Sequence, residues 1–196
     1  MSKQVEFFFD VGSPTTYLAY TQLPEIAART GAEIVWKPML LGGVFKATGN
    51  QTPAAIPAKA VHMNADLTRF AARYGVPLTF NPHFPINTLQ LMRGAVAEQQ
   101  EGRLLPYLKL VFDAMWVHPR NLNDPAELAR LLKEGGHDSE AFAARLQAEV
   151  VKEGLKKNTE EAIQRGAFGA PTFFVGEDMF FGQDRLDFVE EALKAE

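Results

Sequence analysis

Ser13 is the residue of this chain best placed to do chemistry. It follows an apolar run, Val5 to Phe9, and the break Asp10-Val11-Gly12, and it precedes Pro14 and a helix-type segment, Thr15 to Ala28. A small hydroxyl at that position caps the free N–H groups of the helix. The same groups and the helix dipole attract anions and stabilise thiolates. Capping alone would also account for the serine. Exclusions narrow the chemistry further. The chain has no cysteine, so disulfides, thiolate metal sites and redox work by protein thiols are ruled out. Its four histidines show no metal-ligand spacing, so no metal is expected. No pattern supplies a base beside Ser13 for acyl transfer.

The 196 residues suffice for one compact domain, or a small one with a large insertion. A net charge of −4 without a basic patch gives no reason to expect nucleic acid. No apolar run is long enough to span a bilayer. Met1-Ser2-Lys3-Gln4 leads straight into a strand without a signal-type apolar region, and a cytoplasmic location is the simplest reading.

The elements that must position Ser13 read in order as follows. Val5–Phe9 is a buried strand, Thr15 to Ala28 a helix ended by Gly31, and Ala32 to Pro38 a second strand, which makes a parallel βαβ unit. Leu40 to Pro57 reads as a long Gly- and Pro-containing loop, packed through its apolar residues and therefore functional. Helices are expected over Ala58 to Tyr74, Thr88 to Gln100 with Asn87 as cap, Leu104 to Trp116, and Pro125 to Glu134 behind Asp124. Another should run from Asp138 or Ser139 to about Val151, with a break at Gly154 and a further helix from Asn158 or Thr159. A hairpin follows, with Pro171 opening one strand and Met179-Phe180-Phe181 forming the other, and then a last helix, Leu186 to Lys194, with Phe188, Val189, Ala192 and Leu193 on its apolar face. This is an α/β chain: residues 1–39 and 155–196 form a βαβ…αββα sheet domain, and residues 40–154 form a helical insertion.

That order, with Ala170-Pro171 opening the third strand, resembles the thioredoxin-like fold, in the branch that holds the bacterial disulfide oxidoreductases. The resemblance implies a cis bond before Pro171. At the Cys-x-x-Cys position this chain reads Ser13-Pro14-Thr15-Thr16. The run around Phe9-Asp10-Val11-Gly12-Ser13-Pro14 resembles the F-x-D-x-x-S-P signature shared by kappa-class glutathione transferases and 2-hydroxychromene-2-carboxylate isomerases. Leu41 to Asn50 resembles the L-x-G-[IV]-x-K-x-[ST]-G-N loop of the kappa enzymes, and Gly166 to Thr172 with Gly182 to Leu186 match both groups.

The resemblance implies a glutathione cofactor with its sulfur near Ser13, beside Pro14 and Thr15. Ala170, before Pro171, would offer backbone N–H and C=O to the cysteinyl part. Gln183 and Asp184 would hold the γ-glutamyl end, and Asn50 and Lys59 the glycyl end. Arg185 either pairs with Asp10 or contacts ligand. Lys46, His83, Asn87 and Trp116 would face a small aromatic substrate. His118 lies on the same irregular stretches, and His62 reads as an ordinary helix residue. The implied isomerase chemistry is thiolate addition to the ring-opened substrate, bond rotation and elimination to the trans-benzylidenepyruvate. A homodimer is also implied. Val111 to Trp116, Asn121 to Asp124 and the short C-terminus favour the isomerase, and the Leu41–Asn50 loop favours the transferase. A redox-inactive thioredoxin-like binding module is a third reading.

Overall fold

The computed structural model describes residues 3–195; Met1 and Ser2, read as a lead into the first strand, and Glu196 lie outside it. Strand β1 (Gln4–Phe9) runs into helix α1 (Pro14–Thr30), which Gly31 closes in a left-handed conformation, and then into β2 (Glu33–Pro38). β1 and β2 pair in parallel from Gln4↔Glu33 to Phe9↔Pro38. The hairpin β3 (Thr172–Val175) and β4 (Asp178–Phe181) completes a sheet in the order β2-β1-β3-β4, with β3 antiparallel to β1. β1 is apolar throughout its second half because it is covered on both faces. Val5, Phe7 and Phe9 join the main core, while Phe8 faces a smaller cluster with Met39, Val44, Ala162 and Phe174.

Between β2 and β3 lie α2 (Leu41–Thr48), a short 3-10 turn (Pro53–Ala55), α3 (Pro57–Tyr74), α4 (Leu89–Gln100), α5 (Leu104–Trp116), α6 (Pro125–Glu134), α7 (Ser139–Leu146) and α8 (Glu149–Gln164). A 3-10 turn (Gln183–Arg185) leads into α9 (Leu186–Ala195). This is the expected thioredoxin-like arrangement of a mixed sheet with a mostly helical insertion. Among the described residues, no helix is long and apolar enough to cross a membrane.

Three expectations need correction. The stretch Leu40 to Pro57 is not all loop, because α2 occupies Leu41–Thr48. Its cap is not local. The Leu41 N–H donates to Asp10 Oδ2 (2.8 Å) and the Leu40 N–H to Thr159 Oγ1 (2.9 Å), so the residues that stop α2 from fraying lie elsewhere in the chain. Gly43 serves contact rather than flexibility: a Cβ there would stand 3.2 Å from Thr159 Cγ2.

The second correction is that α8 runs unbroken through Gly154, Asn158 and Thr159. The interruption comes earlier, at Gln147–Ala148. Gly154 lets α8 lie against α4, since a Cβ would meet Val96 Cγ1 at 3.0 Å. Asn158 and Thr159 do not cap a helix; Asn158 Nδ2 donates to Pro38 O (3.0 Å), and Thr159 Oγ1 donates to Leu155 O (2.7 Å) while accepting from Leu40. Third, the buried face of α9 is Leu186, Val189 and Leu193, and Phe188 is exposed.

One buried group in α1 is unpaired. Thr16 is fully buried and its Oγ1 has no hydrogen-bond partner. An unsatisfied buried hydroxyl costs more than an isosteric methyl, which needs no partner. Thr16→Val is therefore expected to stabilise the fold by about 1 kcal/mol and raise Tm by roughly 2–4 °C, read by thermal denaturation. A lower Tm would mean that the hydroxyl is satisfied.

Candidate active site

The turn after β1 places Ser13 as the N-cap of α1, where its Oγ accepts the Thr16 N–H (3.2 Å). The Ala170–Pro171 peptide bond is cis, as the resemblance implied, and brings the Ala170 carbonyl alongside. Ser13 Oγ lies 3.1 Å from Ala170 O and 2.7 Å from Thr15 Oγ1, and Thr15 Oγ1 is itself 3.1 Å from Ala170 O. These three oxygens share two hydroxyl hydrogens. If Thr15 donates, either to Ala170 O or to Ser13 Oγ, the Ser13 hydrogen is free to turn outward. The N–H groups of Thr15 and Ala170 meet no acceptor among the described residues. The Ala170 carbonyl, expected to serve a ligand, is instead engaged by these two hydroxyls.

Ser13 opens onto a cavity of about 1370 Å³. One part of the lining is polar. Gln183 is only 5% exposed, yet its side-chain amide has no partner among the described residues and lines the cavity. Its backbone carbonyl accepts the Tyr74 hydroxyl (3.0 Å), and burial pushes that phenol up to about 12, so it stays a donor. Asp184 also lines this part, within the 3-10 turn and not in α9. Lys59, His62 and Asp66 project from one face of α3.

Another part of the lining is an aromatic cluster. Trp116 is buried, and its Nε1 donates to Val11 O (2.8 Å), just before the Ser13 turn. Phe80 and Phe84 pack on its ring with centroids at 6.5 and 6.0 Å. Asn87 also lines the cavity; its Oδ1 accepts the Leu89 N–H (3.0 Å), leaving the amide N–H groups of its side chain without partners among the described residues.

Not every expected residue reaches the cavity. Asn50 lines it, but its amide is committed: Nδ2 donates to Phe168 O (2.8 Å) and Oδ1 accepts from Gln51 N (2.8 Å), so it ties α2's exit to the segment before Pro171. Pro14 and Thr15 line the wall; Pro171 does not, and its carbonyl receives the Gly182 N–H (3.0 Å). Lys46 is exposed and off the wall, because the cavity face of α2 is Leu41, Gly42 and Phe45 and the next residue points about 100° away. His83 sits exposed on a turn and offers only its backbone N–H, to Asn81 Oδ1 (2.9 Å). Arg185 pairs with neither Asp10 nor the cavity, but with Asp184 at 2.7 Å. His118 faces Asp113 (3.0 Å) on the surface, outside the wall.

Asp10 was not expected at the site. It is fully buried, and its carboxylate accepts from Gly12 N (2.9 Å), Leu41 N (2.8 Å) and Thr88 Oγ1 (3.0 Å). Burial raises its pKa from the usual aspartate value, and the three donors only partly offset this. His62 and Asp66 were also missed. Their signal was the spacing Lys59, His62, Met63, Asp66, Leu67, which puts polar and apolar residues on one helix face.

Comparison with known proteins agrees with this geometry. Residues 4–194 match the family model described as a DSBA-like thioredoxin domain. A 2-hydroxychromene-2-carboxylate isomerase of Sphingobium xenophagum is 34% identical over 98% of this chain and 99% of its own. Glutathione S-transferase kappa 1 of Caenorhabditis elegans is 27% identical over 97% and 91%. A solved 2-hydroxychromene-2-carboxylate isomerase superposes with a TM-score of 0.86 at 30% identity, covering 98% of this chain and 95% of that one. The chain belongs to the DSBA-like thioredoxin family, in the branch shared by the 2-hydroxychromene-2-carboxylate isomerases and the kappa-class glutathione transferases.

Proposed function

We propose that this protein is a glutathione-dependent isomerase that converts 2-hydroxychromene-2-carboxylate, or a closely related ring-opened aromatic pyruvate, to its trans-benzylidenepyruvate. The observation that carries the reading is one cavity whose lining holds both the Ser13 hydroxyl with the Gln183 amide, which has no partner among the described residues, and the Phe80–Phe84–Trp116 cluster. A peptide-like, charged cofactor fits the polar groups and an aromatic ring the aromatic cluster.

Glutathione, when bound, supplies a thiol that adds reversibly to the substrate double bond, so that the two carbons are joined by a single bond until elimination. The protein's own groups do the rest. Ser13 Oγ–H and the Thr15 N–H donate to the sulfur and favour its anionic form, reinforced by the α1 dipole. With the Thr15 hydroxyl donating to either Ala170 O or Ser13 Oγ, the Ser13 hydrogen is free for the sulfur. The Ala170 N–H would hold the cysteinyl backbone as an added strand does. Gln183 and Asp184 take the γ-glutamyl end and Lys59 the glycyl carboxylate. Asn87, with its amide fixed by Leu89, would donate to the pyruvate oxygen and stabilise negative charge there. With this reading go a cytoplasmic location and a homodimer.

The test is a paired assay on purified protein: interconversion of 2-hydroxychromene-2-carboxylate and trans-o-hydroxybenzylidenepyruvate with and without glutathione, and conjugation of a halonitrobenzene. Glutathione-dependent isomerisation with weak conjugation is expected. The reverse pattern would make it a kappa-type transferase, and inactivity in both arms without calorimetric glutathione binding would defeat the enzyme reading.

A further inference from the structure

We propose that Asn81, which does not line the cavity, is the positioning residue that sets selectivity for the second substrate by holding the aromatic wall in shape. The inference rests on the reading that this wall receives the substrate ring. Residues 75–88, between α3 and α4, form a long connection with no helix or strand. Such a segment needs an anchor to hold two phenylalanines in fixed positions. Asn81 is 4% exposed and spends its whole side chain on that anchor. Its Nδ2 donates to Met115 O (3.2 Å) and Arg120 O (3.1 Å), and its Oδ1 accepts from His83 N (2.9 Å).

The carbonyls it meets are at and beyond the C-terminal end of α5, where acceptors lose their intrahelical donors. The Thr79 N–H takes the neighbouring Trp116 carbonyl (2.7 Å), and the Phe84 N–H returns to Asn81 O (3.1 Å). Asn81 thus lies between Phe80 and Phe84 in sequence and behind Trp116 in space. Phe80 and Phe84 are each 37% exposed, and Trp116 is the aromatic ring on which both pack. Their positions depend on the backbone that Asn81 fixes. A wall preformed in this way binds a planar fused ring without first having to be ordered.

The probe is 1-hydroxy-2-naphthoate, a fused aromatic carboxylate, titrated calorimetrically without glutathione, with glutathione titrated separately. Asn81→Ala is expected to weaken the naphthoate by about tenfold while leaving glutathione affinity within about twofold. In a double-mutant cycle, Asn81→Ala and Phe84→Ala are expected to be strongly non-additive, because both act through the same ring. If Asn81→Ala does not fold, Asn81→Ser, which keeps one donor, takes its place in the same cycle. Unchanged naphthoate affinity in the folded variant, additive losses, or an equal loss of glutathione affinity would overturn the proposal. So would failure of the unmodified protein to bind the naphthoate. Failure to bind glutathione alone would instead defeat the functional reading and leave the wall measurement intact.

Discussion

Ser13→Ala is expected to lower glutathione-dependent isomerisation by about 100-fold or more, the usual effect of removing one donor aimed at developing negative charge. The same change removes the α1 N-cap, a stability cost of about 1 kcal/mol that Tm would register as a few degrees. Stability and chemistry separate in a second measurement. With glutathione bound, the thiolate absorbs in the ultraviolet, and its titration reports the thiol pKa directly. In the proposed function Ser13 donates to the anion, so its loss should move that titration to higher pH and shift the rising limb of the kcat/KM profile with it. A cap with no chemical role would lower Tm and leave the titration in place, and that result would remove Ser13 from the mechanism.

Asp10→Asn should affect fold and activity together. Asp10 accepts from the turn that carries Ser13, the first N–H of α2 and the hydroxyl that precedes α4. All three segments line the cavity. An amide keeps one acceptor oxygen and presents an NH2 group to a backbone donor, so a buried N–H goes unpaired at a cost of about 2 kcal/mol. Small displacements of all three walls should lower kcat/KM by about 100-fold.

The pH dependence has a defined sign. Burial raises the folded pKa of Asp10 above its unfolded value of 3.8. Its contribution to stability is thus fully present below that value and is lost as pH rises through the folded pKa. The Tm deficit of Asp10→Asn should therefore be larger near pH 4 than near pH 8. A deficit that grows with pH would mean that the buried carboxylate is stabilised as an anion, contrary to the burial argument.

Local sequence was a good guide wherever the signal was local. The helix over Leu104–Trp116 and the helix over Pro125–Glu134 behind its Asp124 cap fall where the apolar spacing and the Asp-Pro pair put them. The α1 cap and its Gly31 stop were equally legible. The readings that failed did so where the deciding atom was distant. α2 was hidden because its caps come from Asp10 and Thr159, and the apparent break at Gly154 was in truth a helix–helix contact surface. Lys46 looked like a ligand because a cation in a Gly-rich loop suggests one, but once the loop is helical its side chain turns away.

The sequence by itself determined that no protein thiol reacts here, that a serine caps the helix after the first strand, and that the chain shares its motifs in order with the isomerase and kappa-transferase group. These follow from residue identity and from neighbours within a turn or two. Only the tertiary structure decided which side chains share the cavity. Asp10 and Asn81 act through side-chain hydrogen bonds to segments more than 30 residues away in sequence, the Gln183 backbone is held by Tyr74, and Phe80 and Phe84 meet Trp116 across more than 30 residues. Whether a buried polar side chain is satisfied or left for a ligand is settled by atoms brought from several elements at once, and chain folding alone assembles them.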